Sequence, residues 1–280
     1  MSWASKLAKP YRVDDGKKIR LKDFDPSDTG DIRSKEHATE LLETGIAHMA
    51  ELQNKLYAQD RWGVLLILQA MDAAGKDGTV KHVMSGVNPS GCEVVPFKVP
   101  TEEEAAHDFL WRAHRAAPRR GHITIFNRSH YEDVLVPRVH RTVPRAVVRR
   151  RYAQINDFER ILADNGTLIV KFFLHISRRE QRRRLAERLA DPDKAWKFSV
   201  GDLKERALWE RYVTAYEKLL SRCSTPHAPW YVIPADRKWH RNLAVASVLV
   251  HALEDLGSRY PPPALSPAQA RRLRAALAAG

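Results

Sequence analysis

The feature that most constrains the fold of this 280-residue chain is an apolar run, residues 63–70, that leads directly into a glycine-containing loop. The run GVLLILQA shows no alternation of apolar and polar residues, which is typical of a strand buried on both faces of a parallel sheet. The loop after it ends in Gly75-Lys76, and a helix is predicted over residues 76–85. A strand, a loop and a helix in this order are the setting of a phosphate-binding loop, whose pattern is G-x-x-x-x-G-K-[ST].

The loop departs from that pattern at two positions. Ala70 replaces the first glycine, and Asp77 replaces the Ser or Thr that would hold Mg²⁺. The site survives both changes, because backbone N–H groups at a helix start still bind an anion and Lys76 adds a positive charge. A carboxylate at Asp72 or Asp77 can bind Mg²⁺ directly or through water. The alternative is a chance turn between strand and helix. We expect phosphate to be bound by Ala74, Gly75, Lys76, Asp77, Gly78 and Thr79.

Four further strands are predicted, and helices alternate with them. The strands are 92–97, 122–126, 167–176 and 230–233, and the main helices are 34–59, 101–117, 144–163, a helix capped by Ser177, and 243–256. Thr101 and Glu104 predict a capping box at the start of the second of these helices. The alternation indicates an α/β fold, namely a three-layer sandwich with a mostly parallel five-stranded sheet. The phosphate loop and the arginine-rich segment after the fourth strand make a P-loop kinase-like sandwich with a helical lid the expectation.

The order of the elements predicts three parts of the chain. Residues 1–60 form an N-terminal arm, extended to about residue 33, and a helix. Residues 61–258 form the core that contains the phosphate loop, which we expect to be a P-loop phosphotransferase core, with an arginine-rich lid at about 178–206. Residues 259–280 form a basic tail helix after the three prolines at 261–263.

A second polar motif, Asn127 to Asp133, follows the third predicted strand. Ligands of doubly wound folds sit at the carboxyl ends of the strands, so this motif and the phosphate loop should meet at one sheet edge. Asn127 stands where P-loop enzymes place a carboxylate that orients Mg²⁺, and Glu132 follows one turn later. Arg128 can clamp a phosphate through two hydrogen bonds. The alternative is an ordinary polar loop.

The net charge of +13 indicates a polyanionic partner, which could be nucleic acid, an anionic membrane or a chain of phosphates. Arg178 and Arg182 share one face of the predicted lid helix, an arrangement that suits a linear polyanion, although a solvated basic helix is the alternative. No helix-turn-helix, zinc-finger or RNA-recognition pattern occurs, so nucleic acid is not the expected partner. The chain has only two cysteines and no apolar signal core near its start, which predicts a cytoplasmic protein. It also has no apolar run of about 18 residues, so we expect no membrane partner.

Four segments together resemble the polyphosphate kinase 2 family over roughly residues 30 to 258: GKDGT, FNRSHYEDVL, DKAWKFS and WYVIPADRKW. The resemblance implies a thymidylate-kinase-like core, a polyphosphate channel lined by Lys and Arg, and dimers or tetramers. It implies reversible transfer between polyphosphate and nucleotides, with Mg²⁺ or Mn²⁺ as the cofactor. It places Asp72, Lys76 and Asp77 in the phosphate loop and Asn127, Arg128 and Glu132 in the second motif.

From these motifs we predict a role for each site residue. The catalytic residues are Asp72, Lys76, Arg128 and Glu132, and the metal ligands are Asp72, Asn127 and Glu132. Nucleotide is bound by Asn127, Arg128, Tyr131 and Arg138, and polyphosphate by the loop together with Arg178 and Arg182.

The second motif also bears on the acceptor. Its N-R-S-H-Y-E resembles the members that accept both AMP and ADP rather than those with D-R-S-W-Y-N, so we expect AMP to give ADP and ADP to give ATP. Two alternatives stay open. One is a nucleoside monophosphate kinase that uses ATP as donor, and the other is a nucleic-acid-binding protein with a degenerate P-loop.

Overall fold

In the computed structural model, which describes residues 2–13 and 18–279, five strands form one parallel sheet. The strands are β1 (Gly63–Ala70), β2 (Cys92–Pro96), β3 (Ile123–Asn127), β4 (Thr167–His175) and β5 (Trp230–Pro234). Their order across the sheet is β2-β3-β1-β4-β5, and each neighbouring pair is parallel. All eight residues of the central strand β1 are buried, as its continuous apolar sequence requires. The predicted five-stranded α/β fold is confirmed.

Helices cover both faces of this sheet. They are α1 (Trp3–Ala8), α2 (Lys35–Gln59), α3 (Lys76–Val83), α4 (Glu102–Ala106), α5 (Trp111–Arg115), α6 (Glu132–His140), α7 (Arg145–Asp164), α8 (Arg178–Ala190), α9 (Val200–Ala207), α10 (Trp209–Cys223), α11 (Lys238–Asp255) and α12 (Pro267–Ala279). No helix in the described ranges is long and apolar enough to span a membrane.

Successive residues of β4 show how the two faces are divided. Phe172 packs toward α3 and α11, where it meets Val80 and Val245. Lys171, the residue before it, bonds instead to Glu159 of α7 and to the carbonyl of Cys223 in α10. Side chains alternate between the two faces of a strand, so α3 and α11 lie on one side of the sheet and α7 and α10 on the other.

The N-terminal segment differs from the extended arm that the sequence predicted. Residues 3–8 form the helix α1, which packs against α11 and buries Ala4 and Ala8. The chain then runs beside β5, where the N–H of Val13 donates to the carbonyl of Trp230 at 2.8 Å. The prediction was wrong here because a helix of six residues is stabilised by its packing and not by its own sequence. Residues 14–17 of the predicted arm lie outside the described residues.

The predicted helix over residues 101–117 is also corrected. Its capping box between Thr101 and Glu104 is present, but the helix divides into α4 and α5. Between them Asp108 accepts a hydrogen bond from the N–H of Leu110 through its side chain, at 2.9 Å, and His107 is extended. An aspartate that bonds the backbone two residues later favours a turn over a continuous helix.

Candidate functional site

The loop between β1 and α3 presents free N–H groups at the start of a helix. Gly75 has a φ of +101°, in the left-handed region that glycine tolerates, and α3 begins at the next residue. No acceptor in the described residues takes the N–H groups of Gly75, Lys76, Asp77 or Gly78. A helix N-terminus with unpaired N–H groups and a lysine is suited to bind phosphate.

Two residues of the predicted phosphate site lie inside the protein instead. Thr79 is buried, and both its N–H and its hydroxyl donate to the carbonyl of Gly75, at 2.9 and 3.1 Å. Ala74 is fully buried, and its N–H donates to the carbonyl of Met71. In this structure the donors of these two residues shape the loop, and the donors that face a ligand are those of Gly75 to Gly78.

Two buried arginines that the sequence analysis missed hold the loop from behind. Arg184 of α8 donates to the carbonyls of Ala73 and Ala74 at 3.2 and 2.9 Å, and it also bonds the carbonyls of Ala235 and Asp236. Arg241 of α11 donates to the same Ala74 carbonyl at 2.9 Å. Burial, together with Arg184, lowers the pKa of Arg241 to about 10. The sequence carried little signal for Arg241, which belongs to the mainly polar first turn of α11, ahead of the mostly apolar run 243–250.

The second motif meets the phosphate loop at the sheet edge, because β3 pairs with β1 and places Asn127 beside Leu68. The Nδ2 of Asn127 donates to Oδ1 of Asp77 at 2.8 Å. Arg128 has a φ of +60° and lies 3.2 Å from Oδ1 of Asp72, and its other terminal nitrogen is 3.8 Å from Glu132. Six of the predicted site residues therefore form one cluster: Asp72, Lys76, Asp77, Asn127, Arg128 and Glu132.

The charges in this cluster depend on one another. Burial lowers the pKa of Lys76, and so does the neighbouring Arg128, while Asp72 and Glu132 oppose the change. Burial raises the pKa of Glu132, and Arg128 and Lys76 oppose that change. Burial disfavours the charge of Arg128, but Glu132 and Asp72 outweigh it and the pKa of Arg128 rises. Perturbed ionisable groups in a cleft are typical of functional sites.

Three members of the cluster, Asp72, Arg128 and Glu132, line the first of two grooves that border the phosphate loop. This α6–α10 groove has a volume of about 260 Å³ and is lined by β1, α6, α9 and α10. Its charged side chains are Asp72, Arg128, Glu132, Glu205 and Arg206, and its other walls are mainly Leu135, Val136, Trp209, Tyr212 and Tyr216. Aromatic and aliphatic walls with a few polar groups are typical of a site for a small organic ligand.

The second groove, the α3–α8 groove, borders the same loop farther along the chain, at Ala73, Gly75 and Gly78, and has a volume of about 420 Å³. It is lined by Gly75 and Gly78, by five cations (Arg184, Arg188, Lys194, Lys238 and Arg241) and by the acids Glu187 and Asp191. Burial and the nearby Arg184 lower the pKa of Lys238. This groove therefore has an excess of positive charge that an anionic ligand would relieve.

The lid touches the cluster through Gln181 of α8, whose Nε2 donates to the carbonyl of Asp72 at 3.0 Å. Arg206 of α9 donates to Oε1 of Gln181 at 2.6 Å and to the carbonyl of Arg178. Burial lowers the pKa of Arg206, and the charges of Arg178 and Arg182 add to the effect. The two predicted polyphosphate ligands, Arg178 and Arg182, are thus exposed cations beside Arg206.

Two predicted nucleotide ligands, Tyr131 and Arg138, do not line the α6–α10 groove. Tyr131 is fully buried, and its hydroxyl donates to Oε1 of Glu159 at 2.8 Å and accepts from Lys171 at 2.9 Å. It is therefore a core residue, while its neighbour Glu132 lines the groove. Arg138 lines a separate cavity of about 620 Å³ between α6, the turn before α7, and α10. Helical periodicity accounts for the position of Arg138, because residues 132, 135, 136 and 140 share the face of α6 that lines the α6–α10 groove.

Within residues 2–13 and 18–279, no group of three His, Cys, Asp or Glu side chains converges on a point where a metal could bind. Asp72 and Glu132 line one groove and both face Arg128, and Asn127 has a free amide oxygen because its nitrogen donates to Asp77. Mg²⁺ is commonly held by one or two carboxylates together with substrate phosphates. The residues present fit that kind of site and do not form an all-protein metal cage.

A parallel sheet with a Gly-Lys loop after its central strand, an arginine-rich lid and a cationic groove defines a P-loop kinase-like protein. The family model described as "Polyphosphate kinase 2 (PPK2)" matches residues 32–260. The chain therefore belongs to the polyphosphate kinase 2 family, as the resemblance of its motifs indicated.

Relatives and a solved structure agree with this assignment. The chain is 54% identical over 256 residues to the AMP/ADP-polyphosphate phosphotransferase of Meiothermus ruber, covering 91% of this chain and 96% of the relative. It is 47% identical over 265 residues to the ADP-polyphosphate phosphotransferase of Rhodopseudomonas palustris, covering 90% and 92%. The crystal structure of polyphosphate kinase 2 from Arthrobacter aurescens TC1 superposes with a TM-score of 0.93 at 44% identity, covering 98% of both chains.

Proposed function

We propose that the chain catalyses a reversible, Mg²⁺-dependent transfer of a phosphoryl group from inorganic polyphosphate to AMP and to ADP. The observation that carries this proposal is the pair of grooves that border the loop between β1 and α3. One contacts Ala70 to Asp72 and has carboxylates and aromatic walls, and the other contacts Ala73, Gly75 and Gly78 and is strongly cationic. Two substrates of different chemistry can then approach the same loop through separate grooves. The names of the relatives from Meiothermus ruber and Rhodopseudomonas palustris support the donor, and they differ over the acceptor.

The α3–α8 groove is assigned to polyphosphate. A phosphate chain carries roughly one negative charge at each unit and no apolar surface, so a row of Lys and Arg with few acids suits it. Lys238 and Arg188 come from different helices, α11 and α8, and face the same groove. Each such contact should make binding of the polymer weaker as salt rises.

The α6–α10 groove is assigned to the nucleotide. Its Asp72, Arg128 and Glu132 lie next to Lys76 and fit the phosphate end. Trp209 and Tyr212 provide surfaces for a ribose and a base. Its carboxylates make it a poor place for a bare polyanion, which supports the assignment of polyphosphate to the other groove.

In the proposed mechanism an oxygen of the nucleotide's terminal phosphate attacks the end phosphorus of polyphosphate in line, without a covalent enzyme intermediate. The bond from that phosphorus to the bridging oxygen breaks, and polyphosphate one unit shorter leaves with the bridging oxygen and its electron pair. Lys76 and the free N–H groups of the loop bind the transferred group, and Arg128 binds its equatorial oxygens. Asp72 orients the acceptor. The attacking oxygen is already ionised, so positioning and charge stabilisation supply most of the rate.

We assign Asp72 and Glu132, with the amide oxygen of Asn127, to hold Mg²⁺, or Mn²⁺, against the substrate phosphates. The ion would supply positive charge that offsets the negative charge of the two phosphates. Arg128 also contacts both carboxylates and keeps them from repelling each other strongly in the absence of substrate.

The test is to incubate purified protein with Mg²⁺ and long-chain polyphosphate, with AMP or ADP in separate reactions, and to separate the nucleotides by chromatography. We expect ADP and then ATP from AMP, only when polyphosphate is present, and no product after chelation with EDTA. Lys76→Ala and Asp72→Ala should abolish transfer in folded protein, while Lys81→Ala, on the exposed side of the same helix, should not. Transfer near the wild-type rate by folded Asp72→Ala would contradict the mechanism. Transfer from ATP to a monophosphate without use of polyphosphate would identify a nucleoside monophosphate kinase.

We further propose that the protein is a cytoplasmic homodimer or homotetramer. Cys92 and Cys223 are both free thiols, which suits a reducing compartment. The tail helix α12 exposes Leu273 and Leu277, which a second copy could cover. Light scattering coupled to gel filtration would give the mass, and a mass of about 32 kDa would contradict the oligomer.

A further inference from the structure

The α6–α10 groove runs along one face of a helix and so has two distinct ends. The residues of α6 that line it are Glu132, Leu135, Val136 and His140. Their spacing of three, four and eight places them on one helix face. With a rise of about 1.5 Å per residue, Glu132 and His140 are about 12 Å apart along the axis. The end at Glu132 contains the phosphate-side cluster, and the end at His140 lies about the length of a nucleoside monophosphate away.

A carboxylate occupies this far end. Glu205, on the lid helix α9, accepts a hydrogen bond from the hydroxyl of Tyr212 at 2.6 Å, and its Oε2 is 3.1 Å from Nε2 of His140. Both contacts fall on Oε2. Its other oxygen, Oε1, accepts no hydrogen bond from any residue that the structure describes. The side chain is 34% exposed and lines the groove, so Oε1 is available to a ligand.

The chemistry of that oxygen restricts what it can recognise. An ionised carboxylate only accepts hydrogen bonds, so a ligand must present an N–H or O–H to it. Tyr212 and His140, the polar groups nearest to it, are already engaged with Oε2. Leu135 and Val136 line the groove and can cover the faces of a ring, but they have no polar atom that could read its edge. Trp209 adds only an indole N–H, which cannot accept from a base.

We propose that Glu205 determines base specificity by accepting a hydrogen bond from an N–H on the edge of the nucleobase, which in adenine is the exocyclic amino group. This inference rests on the proposed function, which places the nucleotide's phosphate at the Lys76 end of the groove. A base without a donor at that edge leaves a charged acceptor unpaired. Loss of a hydrogen bond to a charged group should reduce kcat/KM roughly tenfold or more.

The test compares AMP with purine riboside 5′-monophosphate, which is the same nucleotide without the amino group. Wild-type protein should prefer AMP by roughly tenfold or more in kcat/KM. In Glu205→Gln the Tyr212 hydroxyl should hold the amide oxygen, which turns the amide NH₂ toward the base, so the preference should disappear. Glu210→Gln is the matched control, since Glu210 is exposed on α10 and lines the separate cavity, and it should keep the wild-type preference.

Two outcomes would overturn the inference. One is a wild-type enzyme that uses the two monophosphates equally well. The other is Glu205→Gln with both rates changed by the same factor, which is the result expected if Glu205 only holds the lid to His140. Equilibrium binding of the two monophosphates, measured by calorimetry, gives the same comparison without turnover. Absence of polyphosphate-dependent transfer in the wild type would therefore refute the proposed function separately from this inference.

Discussion

Replacing Lys171 with methionine should destabilise the protein strongly without changing its shape. Lys171 is fully buried in β4, where its ammonium group bonds to Glu159, to the hydroxyl of Tyr131 at 2.9 Å and to the carbonyl of Cys223 at 2.6 Å. Methionine fills a similar volume but leaves the carboxylate of Glu159 buried without its cation. Removal of one partner of a buried ion pair typically costs about 3–5 kcal/mol. We expect about 3 kcal/mol, because Glu159 keeps its hydrogen bond from Tyr131.

The free energy of unfolding can be measured by urea titration with circular dichroism, at pH 8 and at pH 5. Burial works against the charge of Glu159, yet Lys171 holds the pKa of this carboxyl below its ordinary value. Without the lysine that pKa should rise, so protonation at pH 5 should relieve part of the loss seen at pH 8. The double variant Lys171→Met/Glu159→Gln should recover part of the stability at pH 8. The reasoning is refuted if Lys171→Met matches the wild type at pH 8, or if the double variant is no more stable than the single one.

Three further predictions concern the loop, acid stability and the alkaline rate. In Gly75→Ala the new Cβ would lie 2.1 Å from Nη1 of Arg241 at a φ of +101°, so kcat/KM for polyphosphate should fall at least about tenfold. Gly78→Ala, with 3.5 Å to the same arginine, should lose far less, and equal losses would contradict the steric argument. Burial lowers the pKa of His240 from 6.5 to about 4, so between these pH values the unfolded chain binds a proton that the folded protein does not. The contribution of His240 to the free energy of unfolding is therefore fully present above pH 6.5 and falls by about 3 kcal/mol as pH decreases toward 4. Urea titrations of His240→Gln should show a shallower acid loss, and parallel curves would count against this cause. Burial lowers the pKa of Lys76 from its ordinary value of 10.5, so as pH rises the rate with polyphosphate should begin to fall before pH 10.5 is reached. Lys76→Arg should shift this alkaline fall to higher pH, and a fall at the same pH in the variant would exclude Lys76 as its source.

The sheet was predictable because its signals are local. The continuous apolar run of β1 requires burial on both faces, and the Gly-Lys loop requires a helix after it. Ser34 and Ser177 cap their helices as their sequences indicate. From these elements the meeting of the phosphate loop with Asn127 and Arg128 followed directly, since neighbouring parallel strands end at one edge.

The missed features depend on contacts between distant residues. The sequence did not predict α6, which contains Pro137, and without this helix the faces of Glu132 and Arg138 could not be separated. Tyr131 looks like a ligand beside Arg128, but its partners Glu159 and Lys171 are 28 and 40 residues away in the chain. In the sequence Arg184 cannot be distinguished from the other arginines of α8, because the carbonyls of Ala74 and Ala235 that it binds lie far away in the chain.

The two grooves border the phosphate loop at different residues, and this separation bears on how the polymer would be consumed. The α3–α8 groove involves α3 and α11, which lie on one face of the sheet, and the α6–α10 groove involves α10, which lies on the other face. Helix α8 lines both, through Gln181 in the α6–α10 groove and through Arg184 and Arg188 in the α3–α8 groove. Under the proposed assignment a spent nucleotide leaves, and a fresh one enters, without crossing the path of the polymer. One chain can then be shortened through many rounds before it dissociates. Such processive turnover would appear as a mixture of intact and very short chains early in the reaction, instead of a gradual decrease in average length.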